Sequence, residues 1–325
     1  MNHDDYERLH AVADQVAASR AHRLSGKQEQ RVSEYERELP EFDAIFTAAS
    51  SELRERGWQR MQRDLNSYGA ALPWRKAESR FRLRPSETTI WSGPNGSWKS
   101  LTVNFILGHL AFCGQRVFVA SLELTADDQL ARLATQMLCN SKPTRSRYDA
   151  LMDRLADNLM VYDFVGSVRP ERAVALARYA ATDLQAQHVL IDNLTMVVPP
   201  GRDADERAAR CVAGLYQVGR DTGACMHLIA HVRKPDEGNR FLTRYDIRGT
   251  GAAPDMVDNV VMMQINEGKR AARENDDPRR DEEPDVYMTV DKQRHGTYRG
   301  RMGFWQHETT MRLCECGFDT PEAYV

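Results

Sequence analysis

The feature that most constrains this chain is a loop of eight residues that links a β-rich run, Thr88 to Trp91, to an apolar helical stretch beginning at Leu101. A loop in this position presents successive backbone N–H groups at the positive end of the helix dipole, which suits phosphate. Lys99 adds a point charge for the β- and γ-phosphates, and the Ser100 hydroxyl can ligate Mg²⁺. We therefore predict that ATP, or another NTP, binds with Mg²⁺ at the loop Gly93, Pro94, Asn95, Gly96, Ser97, Trp98, Lys99 and Ser100.

Trp98 departs from the usual phosphate-loop pattern, GxxxxGK[ST], which has a glycine before the lysine. That glycine normally lets the loop wrap tightly before the lysine. Either Gly96 supplies the necessary backbone freedom, or the loop is strained and phosphate binding is weak. A strand-turn-helix that merely resembles a phosphate loop is a third interpretation of the octapeptide taken alone.

Composition narrows the class of protein. The chain has 325 residues, of which 42% are hydrophobic, so it can bury a substantial core. Its mean hydropathy is −0.59 and it has no apolar run near twenty residues, so we expect no membrane partner. The net charge of −3 supplies no global basic field, and any nucleic acid must be held by a local patch. The N-terminus lacks a secretory pattern and the six cysteines lie mostly in apolar contexts, which predicts thiols and a cytoplasmic location.

The chain divides into two regions of different texture. Residues 1–74 are predicted to be a helical N-terminal or linker segment, because apolar stripes at helical spacing run along 9–16 and 42–53. Such stripes pack on the chain's own core or dock on another subunit. Residues 75–325 alternate short β-rich runs with helical stretches, which predicts an α/β domain with a mostly parallel central sheet. Runs after residue 255 predict late antiparallel strands at an edge, and residues 266–284 predict a solvated loop.

Two acids follow predicted strands. Asp192 ends the run HVLID, where a carboxylate can hold the Mg²⁺ shell, and Glu123 follows the run VFVAS. Ligands of open α/β sheets bind at the carboxyl ends of the strands, so Glu123 is placed to act as a base for the attacking water. Either acid alone is equally a strand-end cap.

After the phosphate loop, the segments SLEL, IDNL, LIAHVRKP and DIRGTGA follow in order. Together they resemble the RecA-like motor domain of hexameric replicative DNA helicases, the DnaB and Twinkle class, and most of all the helicase half of phage primase-helicases. The resemblance covers roughly residues 75–315. It implies a RecA-like P-loop NTPase core, single-stranded and forked DNA as partners, and a homo-oligomer forming a hexameric ring in a bacterial or phage-infected cell.

The resemblance also implies roles for single residues. Lys99 and Ser100 would bind phosphate and Mg²⁺, Glu123 would be the catalytic base, and Asp192 would be the Walker B acid. His231, which ends its strand, would take the place of the polar γ-phosphate sensor. A strand-end histidine by itself is more often an ordinary packed residue.

Near the end of the chain, Asp291-Lys292-Gln293-Arg294 matches the family's K-x-R element. Residues two apart on a strand share a face, so Lys292 and Arg294 can reach one phosphate together. The resemblance assigns that phosphate to the neighbouring subunit's ATP, with Arg294 as the arginine finger. Trp305 lies where the family tends to place an aromatic residue against adenine, although a tryptophan in this context is as often a core residue.

The segment from Val232 to Arg248 is basic and long. We expect it to sample many conformations until phosphates neutralise it, as a single-strand-binding loop in a ring channel does. A plain solvated loop is the alternative. The predicted DNA-binding residues, which include an element resembling the family's RG[ST]G, are Arg233, Lys234, Arg240, Arg244, Arg248, Gly249, Thr250 and Gly251.

These features predict an ATP-driven helicase that forms a ring, translocates on single-stranded DNA and unwinds duplex. A hydrolysis-impaired RecA-like DNA-binding scaffold or loader is the main alternative, because of Trp98. A RecA-like recombinase is disfavoured by the combination of RGTG with K-x-R. No cysteine-rich zinc module or toprim-like acidic cluster precedes the motor, so we expect no primase activity in this chain and a separate primase or polymerase as a candidate partner.

Overall fold

The computed structural model describes residues 26–37, 51–64, 67–233, 240–248, 253–275, 277 and 280–325. The α-helices of this part are α1 Gly26–Arg37, α2 Ser51–Met61, α3 Lys99–Phe112, α4 Ala126–Leu138, α5 Arg145–Leu155, α6 Pro170–Thr182, α7 Leu194–Val197, α8 Ala204–Thr222, α9 Ala253–Met256 and α10 Glu267–Glu274. The strands are β1 Ala70–Ala71, β2 Arg82–Leu83, β3 Thr88–Gly93, β4 Val117–Ser121, β5 Leu159–Val161, β6 His188–Asp192, β7 Cys225–His231, β8 Asn259–Ile265, β9 Val286–Gln293, β10 Gly300–Gln306 and β11 Leu313–Cys314.

A nine-stranded sheet organises these elements, in the order β11-β10-β9-β8-β3-β7-β6-β4-β5. The six strands from β8 to β5 are parallel, and β9, β10 and β11 add to one side in antiparallel pairing. The predicted fold class, a mostly parallel sheet with late antiparallel strands, is therefore confirmed. The carboxyl ends of β3, β4, β6 and β7 lie at one edge of the sheet, here called the loop edge, and the other is called the far edge.

Helices cover both faces of the sheet, and each face has its own apolar core. One core joins α3, α4 and α5 to the sheet and includes Trp74 and Phe304, whose ring centroids are 4.9 Å apart. The second core joins α6 and α8 to the other face. Every residue of β3, β4 and β6 is buried, which is expected of parallel strands covered on both sides.

The N-terminal helix α1 packs on the chain's own α6. Val32 is fully buried against Ala175 and Tyr179, while Arg31 and Tyr35 both bind the Asp183 carboxylate. The predicted apolar stripes at 9–16 and 42–49 lie outside the described residues. All six cysteines are free thiols, as predicted, and no helix in the described ranges is long and apolar enough to cross a membrane.

The prediction of a solvated loop at 266–284 was wrong for its first half. Asn266 caps helix α10, its side chain accepting from Lys269 N. Lys269 is only 2% exposed because its ammonium pairs with Asp285 at 2.9 Å and donates to the Glu283 carbonyl. The mixed-charge composition gives no signal for this helix, because its one buried residue is Lys269. Asp285, directly before β9, neutralises the charge of that lysine.

Candidate nucleotide site

The phosphate loop leaves the carboxyl end of β3 and enters α3. A Cβ on Gly93 would meet the Met263 carbonyl oxygen at 2.0 Å and the Ser97 hydroxyl at 2.8 Å, so only glycine fits there. Gly96 has φ +75°, a left-handed conformation in open space. The loop therefore needs glycine at two positions for two reasons, close approach at the first and backbone conformation at the second.

Trp98 is itself in the left-handed conformation, with φ 60° and ψ 22°. This explains the glycine of the usual pattern, because a residue with a Cβ loses about 1 to 2 kcal/mol in that region. The Trp98 ring is half-buried and packs against the core under α3. Gly96 therefore supplies left-handed backbone, and Trp98 carries backbone strain as well. The weak phosphate binding expected of a strained loop stays a prediction.

Lys99 lies at the start of α3 with its ammonium buried in the loop. Its Nζ donates to the Pro94 carbonyl at 2.6 Å, and Ser97 Oγ lies at 3.5 Å. Burial lowers the Lys99 pKa to about 8, while Asp192 and Glu123 act in the opposite direction. The loop thus concentrates a lysine and backbone donors at one helix terminus, which suits a polyanion.

Asp192 ends β6 and is 1% exposed. Burial raises the Asp192 pKa to about 7, although a hydrogen bond from Ser100, in the first turn of α3, acts to lower it. The Asp192 Oδ1 atom is buried and makes no hydrogen bond to any described residue. A buried carboxylate oxygen beside a serine hydroxyl is an all-oxygen donor set, which is what Mg²⁺ prefers.

Glu123, His231 and Asn193 meet in one hydrogen-bonded group. Glu123 lies two residues beyond the end of β4 with an exposed side chain, and its Oε1 accepts from Asn193 Nδ2 at 2.7 Å. The same Asn193 nitrogen lies 3.0 Å from His231 Nε2. His231 ends β7 directly beside Gly93 in the sheet register. Asn193 was missed by sequence reasoning, although its position directly after Asp192 in the segment IDNL marked it.

The structure therefore brings Lys99, Ser100, Glu123, Asp192 and His231 together at the loop edge. Each comes from the carboxyl end of a parallel strand or from the loop after it. Neighbouring strands β6, β7 and β3 supply Asp192, His231 and the loop, and β4 on the other side of β6 supplies Glu123. A basic loop, a buried acid, an exposed acid and a histidine in this arrangement can bind a nucleotide phosphate and activate water.

Lys292 and Arg294 do not join this group; they lie at the far edge. Lys292 Nζ donates to the carbonyls of Pro254 and Asp255, and Arg294 donates to the Met256 carbonyl and to Tyr216 OH. Both cations thus bond to backbone carbonyls of α9, and their joint reach to one phosphate stays a prediction. A β-bulge between Val260 and Val261 shifts the β8–β9 register beside them.

A buried carboxylate holds the predicted finger. Asp258 is fully buried and its Oδ1 receives Arg220 at 2.6 Å and Arg294 at 3.3 Å, while its Oδ2 accepts from Thr88 N. Along β8, a rise of about 3.3 Å per residue puts roughly 13 Å between Asn259 at this edge and Met263 beside the phosphate loop. Arg294 thus lies at the opposite edge of the sheet from its own chain's phosphate loop.

Trp305 lies near the end of β10, at the loop edge but three strands from β3. It is half-buried and lines a cavity of about 720 Å³ together with Lys269, Arg273 and the exposed Phe318. The Lys76 ammonium lies 5.3 Å from its ring. Its assignment to an adenine ring stays a prediction.

The basic segment after β7 is described at residues 232–233 and 240–248, and the expectation that it samples many conformations stays a prediction. Residues 240–248 include a 3₁₀ helix, Arg244–Asp246, and Val232 bridges Ile247. Arg240 pairs with Asp246 and lowers the pKa of that carboxyl, and Arg244 lies 3.5 Å from Asp291. The sequence predicts positive charge here, but acids neutralise two of the arginines.

Arg233 and Arg248 have exposed side chains at the two ends of this segment, and the Arg248 N–H donates to the His231 carbonyl at 2.8 Å. The other predicted DNA-binding residues, Lys234, Gly249, Thr250 and Gly251, lie outside the described residues. Tyr245 is 67% exposed between these arginines. Sequence reasoning missed it, although an aromatic among basic residues is typical of a surface that stacks single-stranded bases.

Comparison with known proteins places this geometry in context. Residues 80–237 match the family model described as an AAA domain. A DNA helicase/primase of Enterobacteria phage T3 is 25% identical over 176 residues, 47% of this chain and 31% of that protein. The chain thus matches less than a third of that relative's length.

Two solved structures share the fold at 11% identity. The ATPase domain of G40P superposes with a TM-score of 0.68 over 82% of this chain and 99% of that one. A DnaB-like replicative helicase, solved in a study of its interactions with primase, gives 0.67 over 82% of this chain and 68% of that one. The resemblance found in the motifs is confirmed at the level of the fold: this chain shares the RecA-like fold of the G40P ATPase domain and of a DnaB-like replicative helicase.

Proposed function

We propose that this chain is an ATP-dependent replicative DNA helicase that forms a ring, translocates on single-stranded DNA and unwinds duplex. The observation that carries the proposal is the division of the machinery between the two edges of the sheet. Lys99, Glu123 and Asp192 lie at the loop edge, whereas Arg294 is held at the far edge by Asp258. A chain built this way completes its site with a second copy.

Nucleotide binding follows from the phosphate loop. Backbone N–H groups at the start of α3 and the Lys99 ammonium would bind the β- and γ-phosphates, and Ser100 with Asp192 would hold Mg²⁺. Bound there, Mg²⁺ supplies charge neutralisation for the phosphates during transfer. The Asp192 pKa is about 7 without a metal. A cation bound beside the carboxylate would lower that pKa and favour the ionised form that the metal site needs.

Hydrolysis follows from Glu123. Its carboxylate is exposed at the loop edge and accepts from Asn193 through Oε1, which leaves Oε2 to orient the attacking water and take its proton. His231 lies between Gly93 and Asn193, so its imidazole is placed to sense the γ-phosphate. A neighbour's Arg294 stabilises the charge that develops on the transferred phosphoryl group.

DNA binding is proposed for the segment after His231. Arg233 and Arg248 supply exposed positive charge, and Tyr245 supplies an exposed ring on which a base can stack. The segment is hydrogen-bonded to the end of β7, because the Arg248 N–H donates to the His231 carbonyl. A ring would gather these charges from every subunit at one channel, and a separate primase or polymerase is proposed as a further partner.

The test is ATP hydrolysis measured with and without single-stranded DNA, together with unwinding of a forked substrate and native mass of the assembly. We expect DNA to stimulate hydrolysis, unwinding to require ATP, and a ring to form. Hydrolysis without unwinding contradicts the helicase function.

A hydrolysis-impaired scaffold or loader is the second candidate, and the observation that favours it is the left-handed Trp98 in the phosphate loop. It predicts a ring that binds DNA and nucleotide without turnover. The retention of Lys99, Ser100, Glu123 and Asp192 in one geometry favours the helicase.

A further inference from the structure

Among the described residues, Asn193 is the one side chain hydrogen-bonded to both Glu123 and His231, and its carboxamide orientation is set independently of them. It is fully buried directly after Asp192. Its Oδ1 accepts from Thr195 N at 2.9 Å and Met196 N at 3.2 Å, which caps the short helix α7. Because the two backbone donors identify the oxygen end, the NH₂ end must face the other way.

That NH₂ group has two protons and two partners. One partner is Glu123 Oε1 at 2.7 Å, and the other is His231 Nε2 at 3.0 Å. An amide nitrogen only donates, so His231 Nε2 must accept. The neutral imidazole therefore carries its proton on Nδ1, an atom that is buried and makes no hydrogen bond to any described residue.

The charges around His231 agree with a neutral ring. Burial lowers its pKa, Lys99 and Arg248 lower it further, and only Glu123 acts in the opposite direction. A neutral His231 with the proton on Nδ1 can donate to a phosphate oxygen through that nitrogen. The reverse tautomer would put two N–H groups against each other at Asn193.

We infer that Asn193 is a positioning residue that orients the Glu123 carboxylate and fixes the tautomer of His231. The inference rests on the proposed function for its catalytic consequence, but the tautomer is a property of the free protein. It also joins the DNA-binding segment to the base: Arg248 bonds to the His231 backbone, His231 to Asn193, and Asn193 to Glu123.

The decisive variant is Asn193→Asp, which keeps the oxygen that caps α7 but replaces the donor with a second acceptor. We expect ¹⁵N NMR at pH 8 to show His231 protonated on Nδ1 in the wild type and on Nε2 in the variant, with His231→Gln used to assign the signal. A wild-type proton on Nε2, or an unchanged tautomer in the variant, overturns the inference. This readout does not depend on turnover.

The kinetic test separates positioning from folding. Asn193→Asp places a second carboxylate beside Glu123, so it should lower kcat at least about tenfold and shift the ascending limb of the pH profile of kcat upward by about one unit, with KM for ATP little changed. Asn193→Ser, which can still cap α7 but is too short to reach Glu123, should lower kcat without that shift. Wild-type kcat and pH profile in both variants overturn the inference.

Asn266→Asp is the matched control. Asn266 also caps a helix, α10, and its Nδ2 also donates to a carboxylate, Glu283 Oε2, at 2.8 Å. It carries the same cost in capping and charge without contact to Glu123 or His231. Its pH profile should match the wild type, and a shift equal to that of Asn193→Asp would assign the effect to folding and overturn the inference. If the wild type itself hydrolyses no ATP, the proposed function fails while the NMR result still decides the tautomer.

Discussion

The two edges of the sheet divide the chemistry of this protein unequally. At the loop edge, Asn193 joins Glu123 and His231 in one hydrogen-bonded group, and His231 pairs in register with Gly93 at the start of the phosphate loop. At the far edge, Lys292 and Arg294 bond to carbonyls of α9 and to Asp258, and no phosphate loop lies beside them. Under the proposed function, this division would make assembly a chemical requirement, because each chain would carry half of two different sites.

The largest effect should come from the far edge. Arg294→Ala should abolish ATP hydrolysis, by roughly 10³- to 10⁵-fold as for arginine fingers, without weakening ATP binding to the same chain. Mixing Arg294→Ala with Lys99→Ala subunits should restore part of the activity, since some interfaces then pair an intact loop with an intact finger. If mixed rings form and stay inactive, the division between the edges is not a simple complementation across one interface.

The loop edge should show a loss of similar kind within one chain. Glu123→Gln should keep nucleotide binding and lower hydrolysis by about 10²- to 10⁴-fold, because it removes the base and leaves the shape unchanged. Steady-state hydrolysis with a binding titration measures both. Near-normal turnover would remove Glu123 from the mechanism.

Strand β6 runs from the far edge to the loop edge. Burial lowers the pKa of His188 at its start and raises the pKa of Asp192 at its end. His188 begins it, is 2% exposed and lies 3.1 Å from His227, and burial lowers the His188 pKa to about 4. The unfolded chain binds this proton first, so stability due to His188 is full above about pH 6.5 and is lost as pH falls toward 4. The raised pKa of Asp192 makes the stability fall as pH rises, which is the opposite trend. Comparing the wild type with a His188 variant therefore isolates the contribution of His188.

We therefore expect the difference in unfolding free energy between wild type and His188→Gln to fall by about 3 kcal/mol between pH 7 and pH 4, at 1.36 kcal/mol per pKa unit. Denaturant unfolding at several pH values measures it. A difference that is constant with pH would mean that the His188 pKa is the same in the folded and unfolded protein.

The basic segment allows a finer comparison between Arg248 and the paired arginines Arg240 and Arg244. Neutralising Arg248 should lower the log-log salt slope of single-strand binding by about 0.7, the contribution of one lost phosphate contact. Neutralising Arg240 and Arg244 should change it less, because Asp246 and Asp291 already pair with them. Arg145→Ala, an exposed arginine on α5, is the control. Equal slopes in all variants would place the DNA elsewhere.

The smallest effect is expected at Trp98. Glycine there removes about 1 to 2 kcal/mol of left-handed strain but also removes a ring that packs on the core, so the turnover of Trp98→Gly should stay within about tenfold of the wild type. Parallel ATPase assays measure it. A wild type that hydrolyses no ATP on DNA, with activity gained in Trp98→Gly, would favour the scaffold.

The sequence by itself determined the fold class and most of the loop-edge residues. Alternating β-rich and helical runs predict a parallel sheet, and parallel strands bring their carboxyl ends to one edge. Lys99, Asp192 and Glu123 could therefore be assigned to that edge from the sequence alone. The K-x-R spacing likewise predicted that Lys292 and Arg294 lie close together, and their joint action on one phosphate stays a prediction.

Only the tertiary structure decided what depends on contacts between distant segments. The roles of Asn193 and Asp258 come from partners in other strands, 70 and 36 residues away in the cases of Glu123 and Arg294. The neutralisation of Arg240 and Arg244, the burial of Lys269 and the left-handed Trp98 are likewise invisible to composition and periodicity. Hydrogen bonds and ion pairs of this kind are set by three-dimensional proximity, whereas sequence patterns report which face of an element is apolar.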